Sequence, residues 1–417
     1  MSISTQTVTE RDKTVLKELG EEIQRVGSLP VQREKAELWR RLNDREPVRP
    51  MVYINEEPWA ELECDELAPR CEDPWLRRVE RGLRIKLYRW NHFPVDMIIE
   101  PVIEVGMAYS STGIGLVEKA ERIRHGARVS RHFFPQIFGP EDIEKIKMPE
   151  VTSDEEETQR RVSLLESILK DTVRVAAAGI KHIWFTPWDI LIRFVPMEDI
   201  MTDMIERPDF VDALVSRFVD AKMHELDQIE ALGLLDMGAN NTRVGSGGYG
   251  YTNELQAESG KGQPVGCSQI WGCGNAQIFT EVSPQMHWDF SLKHEMRWLD
   301  RWGMTYYGCC EALHQKIDIL RKIKNLRKIS VSPWFDIPKG LANGAGDYVL
   351  SIKPNPAIFA EDTFNEERAR AEIARYLDEA RGQSVELVMK DISTLRYDPA
   401  RLDRWAEIAM EEAEKRG

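Results

Sequence analysis

Short apolar runs alternate with longer amphipathic stretches along most of this chain, and that alternation limits the folds open to it. The runs have the length of buried strands, whereas the stretches between them place their apolar residues on one helical face. Strands separated by helices favour a parallel sheet, and eight of them predict an α/β fold of the (β/α)8 TIM-barrel type. The eight strand-like runs are 51–55, 97–101, 182–187, 234–239, 304–309, 328–332, 348–352 and 385–390.

The first 49 residues differ from the rest, because they are polar and carry charges of both signs. Apolar residues recur at helical spacing over 15–26, which predicts an N-terminal helical arm. We therefore expect an arm at 1–49 and a barrel at 50–417. Two intervals, 108–175 and 240–283, are too long for simple crossovers and predict long insertions in the barrel.

Composition restricts the partners and the location of the protein. The 417 residues include 56 Lys+Arg and 70 Asp+Glu, a formal charge of −14, which argues against nucleic acid or an anionic membrane as the main partner. No apolar run approaches the roughly 20 residues that cross a bilayer, and no secretory signal is visible. Six cysteines are too few for a disulfide scaffold. These features predict a cytoplasmic protein with reduced thiols.

One glycine-rich segment, Gly245-Ser-Gly-Gly-Tyr-Gly250, matches the G-x-G-x-x-G spacing of dinucleotide-binding loops. That motif also needs a helix to begin after the glycines, so that the helix N-terminus can hold the pyrophosphate. The sequence instead soon reaches Gly260-Lys-Gly-Gln-Pro264, which interrupts any helix. The segment therefore predicts a flexible loop over the barrel mouth, and not a nucleotide site.

Polar residues follow the predicted strands at the end where TIM barrels carry their active groups. The strongest local signal is Tyr306-Tyr-Gly-Cys-Cys-Glu311, because thiolates and carboxylates bind zinc and a carboxylic acid can donate a proton. Lys390 and Asp391 end the last strand, which lies near the others at the mouth of a closed barrel. The alternative is structural, since buried cysteines are common in protein cores. The further residues expected to contact an aromatic substrate are Asp189, Asn240, Trp188, Trp271 and Trp334.

Four segments together resemble the uroporphyrinogen-decarboxylase-like superfamily, in its corrinoid-dependent methyltransferase branch. The resemblance covers most of the chain from about residue 50 and is greatest to O-demethylase methyltransferases acting on methoxylated aromatics such as veratrol or vanillate. It implies a TIM barrel, a small methoxylated substrate and a partner corrinoid protein whose cobalamin accepts the methyl group. The segments are Tyr307-Gly-Cys-Cys-Glu311, Ile329-Ser-Val-Ser-Pro-Trp334, Ser351-Ile-Lys-Pro-Asn-Pro356 and Lys390-Asp-Ile-Ser-Thr394.

Two departures from the superfamily pattern bear on the chemistry. True decarboxylases carry an Arg-rich segment after the first strand, where this chain has the acidic Ile54-Asn-Glu-Glu-Pro-Trp59. Thiol-methylating members bind zinc through His-x-Cys after strand five and a Cys at strand eight, and this chain keeps that pattern only in part. The resemblance therefore leaves two alternatives: a zinc site made of Cys309 or Cys310 with Glu311 and Asp391, or a metal-free site that uses Glu311 or Asp391 as an acid.

The predicted reaction is transfer of a methyl group from a methoxylated compound to the cob(I)alamin of the partner protein. In-line attack on the methyl carbon expels a phenolate, whose developing charge an acid or a Lewis acid would stabilise. Glu311 and Asp391 are expected to act on that oxygen, with Lys390 beside them. The alternatives are a decarboxylase, for which Arg193 and Arg243 are the nearest arginines, and a non-catalytic corrinoid- or tetrapyrrole-binding protein. A homo-oligomeric assembly is also left open.

Overall fold

The protein is described by a computed structural model over residues 8–125, 128–237, 241–255 and 264–417. The strands are β1 (Met51–Ile54), β2 (Val102–Gly106), β3 (Ala108–Ser111), β4 (Ala120–His125), β5 (Arg128–Phe133), β6 (Val151–Asp154), β7 (Arg174–Ala178), β8 (Trp271–Gly274), β9 (Met304–Tyr307), β10 (Leu326–Val331), β11 (Val349–Ile352) and β12 (Val385–Met389).

The helices mostly follow the strands along the chain. Those described are α1 (Glu10–Gly27), α2 (Pro30–Asn43), α3 (Pro74–His92), α4 (Glu155–Leu169), α5 (Pro187–Leu191), α6 (Met197–Glu206), α7 (Pro208–Ala231), α8 (Pro284–His287), α9 (Lys293–Leu299), α10 (Ile317–Leu320), α11 (Ile337–Ala342), α12 (Glu366–Glu379) and α13 (Ala400–Glu414). A π-helical turn, Trp288–Leu292, joins α8 to α9. Short 3-10 turns lie at Pro140–Lys145, Cys267–Gln269, Gln277–Phe279, Leu313–Gln315, Ala345–Asp347 and Pro356–Ala360. None of the helices in the described ranges is long and apolar enough to span a membrane.

Six parallel strands form the main sheet, in the order β1-β12-β11-β10-β9-β8. Strands β2 and β7 form a separate parallel pair, and one parallel bridge joins Ile180 to Leu235. Two antiparallel pairs, β3–β6 and β4–β5, fall within the long insertion predicted at 108–175. The mixed α/β class is thus confirmed, whereas closure into an eight-stranded barrel stays a prediction.

Over the described residues 234–237, the strand expected at 234–239 is a single bridge at Leu235. The structure corrects three further strand predictions. The strand expected at 182–187 is wrong, because β7 ends at Ala178 and the chain then runs into α5, which begins at Pro187. The strand expected at 97–101 begins only at Val102. An apolar run alone does not distinguish a strand from buried coil. The third error is an omission: β8 lies inside 240–283, where its glycines gave no strand signal.

One face of the main sheet carries charged and hydroxyl side chains in the interior. Lys328 on β10, Ser351 on β11 and Glu386 on β12 are fully buried. Lys328 Nζ donates to Glu386 Oε2 over 2.9 Å, and Ser351 Oγ donates to Glu386 Oε1 over 2.5 Å. Lys353 Nζ donates to Ser351 Oγ over 2.6 Å. An unpaired buried charge is strongly destabilising. Lys328, Lys353 and Glu386 are tolerated in the core because each has hydrogen-bonding partners there.

The segment Gly245–Gly250 is buried, so the predicted flexible loop over the barrel mouth is wrong. Gly248 N donates to Glu386 Oε1 over 3.0 Å, and the ring of Tyr249 lies against that of Trp39 from α2. A Cβ on Gly248 would lie 2.3 Å from Trp39 Cη2, so the close approach requires glycine. The predicted N-terminal helices form as α1 and α2, and α2 supplies Trp39 to this core. The division into an arm and a barrel stays a prediction.

Candidate functional site

Side chains that follow β1, β9 and β12 meet around one buried ammonium group. Lys390 directly follows β12, and its Nζ lies 3.3 Å from Cys309 Sγ and 2.9 Å from Asp391 Oδ2. Glu56 Oε2 lies 3.6 Å from the same nitrogen. Glu56 and Asp391 come together because β1 and β12 are hydrogen-bonded neighbours whose carboxyl ends share one edge. We call Lys390, Cys309, Asp391 and Glu56 the Lys390 cluster.

Both acidic members of the Lys390 cluster have a left-handed backbone conformation. Their φ angles are 60° at Glu56 and 56° at Asp391. Residues other than glycine adopt this conformation at a cost of about 1–3 kcal/mol, and such strain concentrates at functional sites. Its occurrence after two adjacent strands favours a functional role for this edge of the sheet.

The two carboxyl groups of the cluster ionise differently. Burial opposes ionisation of Glu56, but the positive charges of Lys390 and Arg243 outweigh it and lower the pKa of Glu56. Burial raises the pKa of Asp391, against the attraction of Lys390. The charge of Glu56 also raises the pKa of Asp391, and Arg243 Nη2 lies 2.9 Å from Glu56 Oε1. Asp391 is therefore the member of the pair that holds a proton more readily.

The adjacent cysteines also differ in environment. Cys309 is buried and Cys310 is exposed, with their sulfur atoms 3.7 Å apart. A hydrogen bond from Cys310 and the charge of Lys390 lower the pKa of the Cys309 thiol, against the effect of burial. The same hydrogen bond raises the pKa of Cys310. Cys309 is thus the sulfur that ionises first, as a thiolate paired with Lys390.

Glu311 lies beneath this cluster and is fully buried. Its Oε1 accepts from the backbone N–H of Ala276 over 2.8 Å, and its Oε2 from that of Cys309 over 2.6 Å. Burial raises the pKa of Glu311, against these backbone hydrogen bonds. Because Ala276 follows β8 and Cys309 follows β9, Glu311 fixes the ends of two strands. This contact gives Glu311 a positioning role, while its predicted contact with substrate stays a prediction.

The four residues predicted to hold zinc do not converge as ligands. Both Glu311 oxygens are bound to backbone amides, and the Lys390 ammonium already lies within bonding distance of Cys309 and Asp391. Among the residues that the structure describes, no group of three or more His, Cys, Asp or Glu side chains is arranged to hold a metal ion. The donor set therefore fits the metal-free alternative better, and zinc binding stays a prediction.

Two of the tryptophans expected to contact substrate lie in the core. Trp188 and Trp271 are fully buried. The indole N–H of Trp188 donates to Phe290 O over 3.0 Å, and that of Trp271 to Gly250 O over 2.9 Å. Each ring is enclosed and each polar nitrogen already has an acceptor, and contact of either ring with substrate stays a prediction.

The remaining predicted contacts have other environments. Asp189 is half-buried, which raises its pKa, and its Oδ2 accepts from Gln277 Nε2 over 2.7 Å. Trp334 follows β10 and is 68% exposed. Asn240 lies outside the described residues. Asp189 and Trp334 are therefore the predicted contacts that a ligand could still reach.

The buried lysines beneath the cluster were missed by the sequence interpretation. Lys353 Nζ donates to Ser351 O over 2.8 Å and also to Tyr306 Oη, and burial lowers the pKa of Lys353 to about 7. A signal was present, because polar residues occupy alternate positions of β10 and of the segment from Ser351 to Lys353. Since side chains alternate along a strand, that spacing marks one polar face.

Comparison with known proteins gives a likeness of fold. No family model matches the chain, and no curated protein matches it. Among solved structures, the chain is similar to a methyltransferase from Methanosarcina mazei, with a TM-score of 0.52 and 11% sequence identity. The alignment covers 91% of this chain and 98% of that chain. At this identity the similarity establishes a shared fold over nearly the full length of both chains, and the function has to be argued from the site.

Proposed function

We propose that this protein transfers a methyl group from a methoxylated aromatic compound to the cob(I)alamin of a partner corrinoid protein. The observation that carries the proposal is the Lys390 cluster, which places Asp391, whose pKa burial raises, beside the cation of Lys390 at the carboxyl ends of parallel strands. Similarity of fold to a methyltransferase supports the transferase class. The four resembling segments support the corrinoid branch.

The cluster is suited to assist departure of an oxygen leaving group. As the nucleophile forms its bond to the methyl carbon, the electron pair of the C–O bond moves to the ether oxygen. Asp391 donates its proton to that oxygen, and Lys390 stabilises the carboxylate that remains. Burial opposes the charge of Lys390, but Cys309, Asp391 and Glu56 outweigh it and raise the pKa of Lys390. Lys390 therefore stays a cation while Asp391 supplies the proton.

The methyl acceptor has to arrive on another protein, because the chain contains no Asp-x-His-x-x-Gly cobalamin segment. Trp334 follows β10 and Tyr397 lies beyond β12, and each is 68% exposed. Both come after strand ends at the edge that carries Lys390. Exposed aromatic side chains are enriched where proteins bind one another. We assign docking of the corrinoid protein to this surface.

The test is to mix the purified protein with cob(I)alamin and a panel of methoxyarenes, following methylcobalamin by its absorbance. We expect methylcobalamin from at least one donor, and a loss of about 10²- to 10⁴-fold in rate for Asp391→Asn. Asp318→Asn, at a side chain that is 88% exposed, is the matched control. Release of carbon dioxide without methylcobalamin would establish the decarboxylase alternative. Zinc analysis of the same preparation tests the metal-site prediction.

A further inference from the structure

Cys309 and Cys310 are adjacent in the chain, and their side chains also lie together. The two sulfur atoms are 3.7 Å apart, whereas neighbouring side chains of a strand point to opposite faces. The arrangement is possible because β9 ends at Tyr307 and the next regular element, a 3-10 turn, begins only at Leu313. The pair therefore lies in irregular backbone, where two consecutive sulfur atoms can face each other.

The two sulfur atoms contact groups of opposite charge. Cys309 Sγ lies 3.3 Å from Lys390 Nζ, and Cys310 Sγ lies 4.0 Å from Asp391 Oδ2. A neighbouring cation favours the thiolate, and a neighbouring carboxylate favours the neutral thiol. A thiolate beside a thiol is the arrangement in which one sulfur is oxidised and the other completes a disulfide.

Exposure also distinguishes this pair from the other cysteines. Cys309 is 5% exposed, and Cys310 beside it is an exposed residue. Burial raises the pKa of the other buried thiols, which are Cys71, Cys267 and Cys273. Reactive cysteines combine a nearby cation with partial access to solvent. Cys309 meets both conditions, with access that suits a small oxidant.

We propose that Cys309 and Cys310 are a modification site at which a hydroperoxide forms a reversible disulfide. The Cys309 thiolate attacks the peroxide, so that an S–O bond forms, the O–O bond breaks, and the departing alkoxide takes a proton from solvent. Cys310 Sγ then displaces hydroxide from Cys309 Sγ, and the proton of its thiol leaves with that hydroxide as water. The two cysteines lose two electrons, which the peroxide gains.

The disulfide would be easily reduced and would change the charge of the Lys390 cluster. Consecutive Cα atoms are about 3.8 Å apart, below the range of about 4.4–6.8 Å in ordinary disulfides, so the bond is strained and a thiol reductant should reopen it. Burial lowers the pKa of Lys390, and the charge of Cys309 is the largest contribution that raises it. Oxidation therefore removes the anion on which the charge of Lys390 most depends.

Mass spectrometry of the whole chain after brief exposure to hydrogen peroxide tests the proposal. We expect loss of two hydrogen atoms, a peptide map that places the bond between Cys309 and Cys310, and reversal by dithiothreitol. The thiolate absorbance of Cys309 should disappear on oxidation and return on reduction. Cys310→Ser should instead stop at a sulfenic acid on Cys309, which dimedone labels.

Variants of Lys390 test the role of the cation. Lys390→Met should slow the oxidation about three- to tenfold, because less of the thiol is thiolate, and Lys390→Arg should keep the rate. Lys339→Met, at a side chain that is 67% exposed, is the control. Dimedone labelling of Cys310→Ser decides the matter should Lys390→Met not fold.

Oxidation of the exposed Cys64 before Cys309 would overturn the proposal, since exposure alone would then decide reactivity. A sulfinic acid at Cys309 without the disulfide would also overturn it. The methyl transfer is judged separately. A reversible disulfide in a protein that forms no methylcobalamin from any donor would overturn the proposed function alone. Methylcobalamin from a protein whose Cys309 and Cys310 stay reduced under peroxide would overturn this modification site alone.

Discussion

Lys390 Nζ lies 3.3 Å from Cys309 Sγ, so the charge of a residue after β12 acts directly on the ionisation of a residue after β9. The same nitrogen lies 2.9 Å from Asp391 Oδ2. One cation therefore serves a thiolate and a carboxyl group together. Removal of its charge should raise the pKa of both groups.

Replacement of Lys390 by Met should raise the pKa of the Cys309 thiol, because a cation that favours the thiolate is lost. Thiolate absorbance against pH, measured in a Cys310→Ala background, would show the inflection at higher pH than in the background protein. Burial raises the pKa of Cys267 and of Cys273 to about 12, so these thiols titrate separately. Lys390→Arg should preserve the inflection. An unchanged inflection in the Met variant would contradict the pairing.

The pH dependence of kcat/KM should report Asp391 as the proton donor. A donor must be protonated, so the rate should fall as pH rises through the pKa of Asp391, which burial raises above that of an ordinary carboxyl group. Glu56→Gln removes a neighbouring negative charge and should move this fall to lower pH. Asp391→Asn should abolish the fall and leave a low, flat rate. A fall that persists in Asp391→Asn belongs to another group.

Removal of one partner of the buried Lys328–Glu386 ion pair should strongly destabilise the protein. Lys328→Met leaves the Glu386 charge without its cation and should lower the free energy of unfolding by about 3–5 kcal/mol. Lys328→Met combined with Glu386→Gln removes both charges, keeps an acceptor for Gly248 N, and should recover much of the loss. Urea denaturation of the three proteins measures the difference. A double variant no more stable than the single one would count against charge as the cause.

Gly248→Ala should destabilise the protein, because its Cβ would lie 2.3 Å from Trp39 Cη2. Overpacking of this kind costs about 1–3 kcal/mol. Gly82→Ala, on α3 with no atom within 4 Å of the new Cβ, is the matched control and should be stabilising by about 0.5–1 kcal/mol. Thermal unfolding should therefore move in opposite directions for the two variants. The same direction in both would contradict the close contact with Trp39.

The strands β9 to β12 were predictable from sequence, because strands covered on both faces appear as short apolar runs. The predicted strand positions are wrong where that signal is ambiguous. The apolar run 182–187 is coil, and two of the four residues of β8 are glycines. The polar interior was missed for a related reason. A strand is predicted from its apolar residues. In β10 that criterion gives no weight to Lys328 and Ser330, which form the polar face.

The site was predictable as far as strand ends determine it. Cys309, Lys390 and Asp391 were expected together because parallel strands end at one edge, and the structure brings them together. The orientation of Glu311 was not predictable, since it depends on the backbone N–H of Ala276. Ala276 lies in the segment 240–283, for which the sequence predicts only a long insertion.

The stretch from Asn241 to Gly250 performs two tasks with one short piece of chain. Its first residues, including Arg243, line a cavity between β1 and α3, and its later residues fill space against Trp39 and Glu386. A single inserted or deleted residue would displace both parts at once, unlike a change in an ordinary surface loop. This stretch can therefore change by exchange of its side chains, but not by a change in the length of the chain.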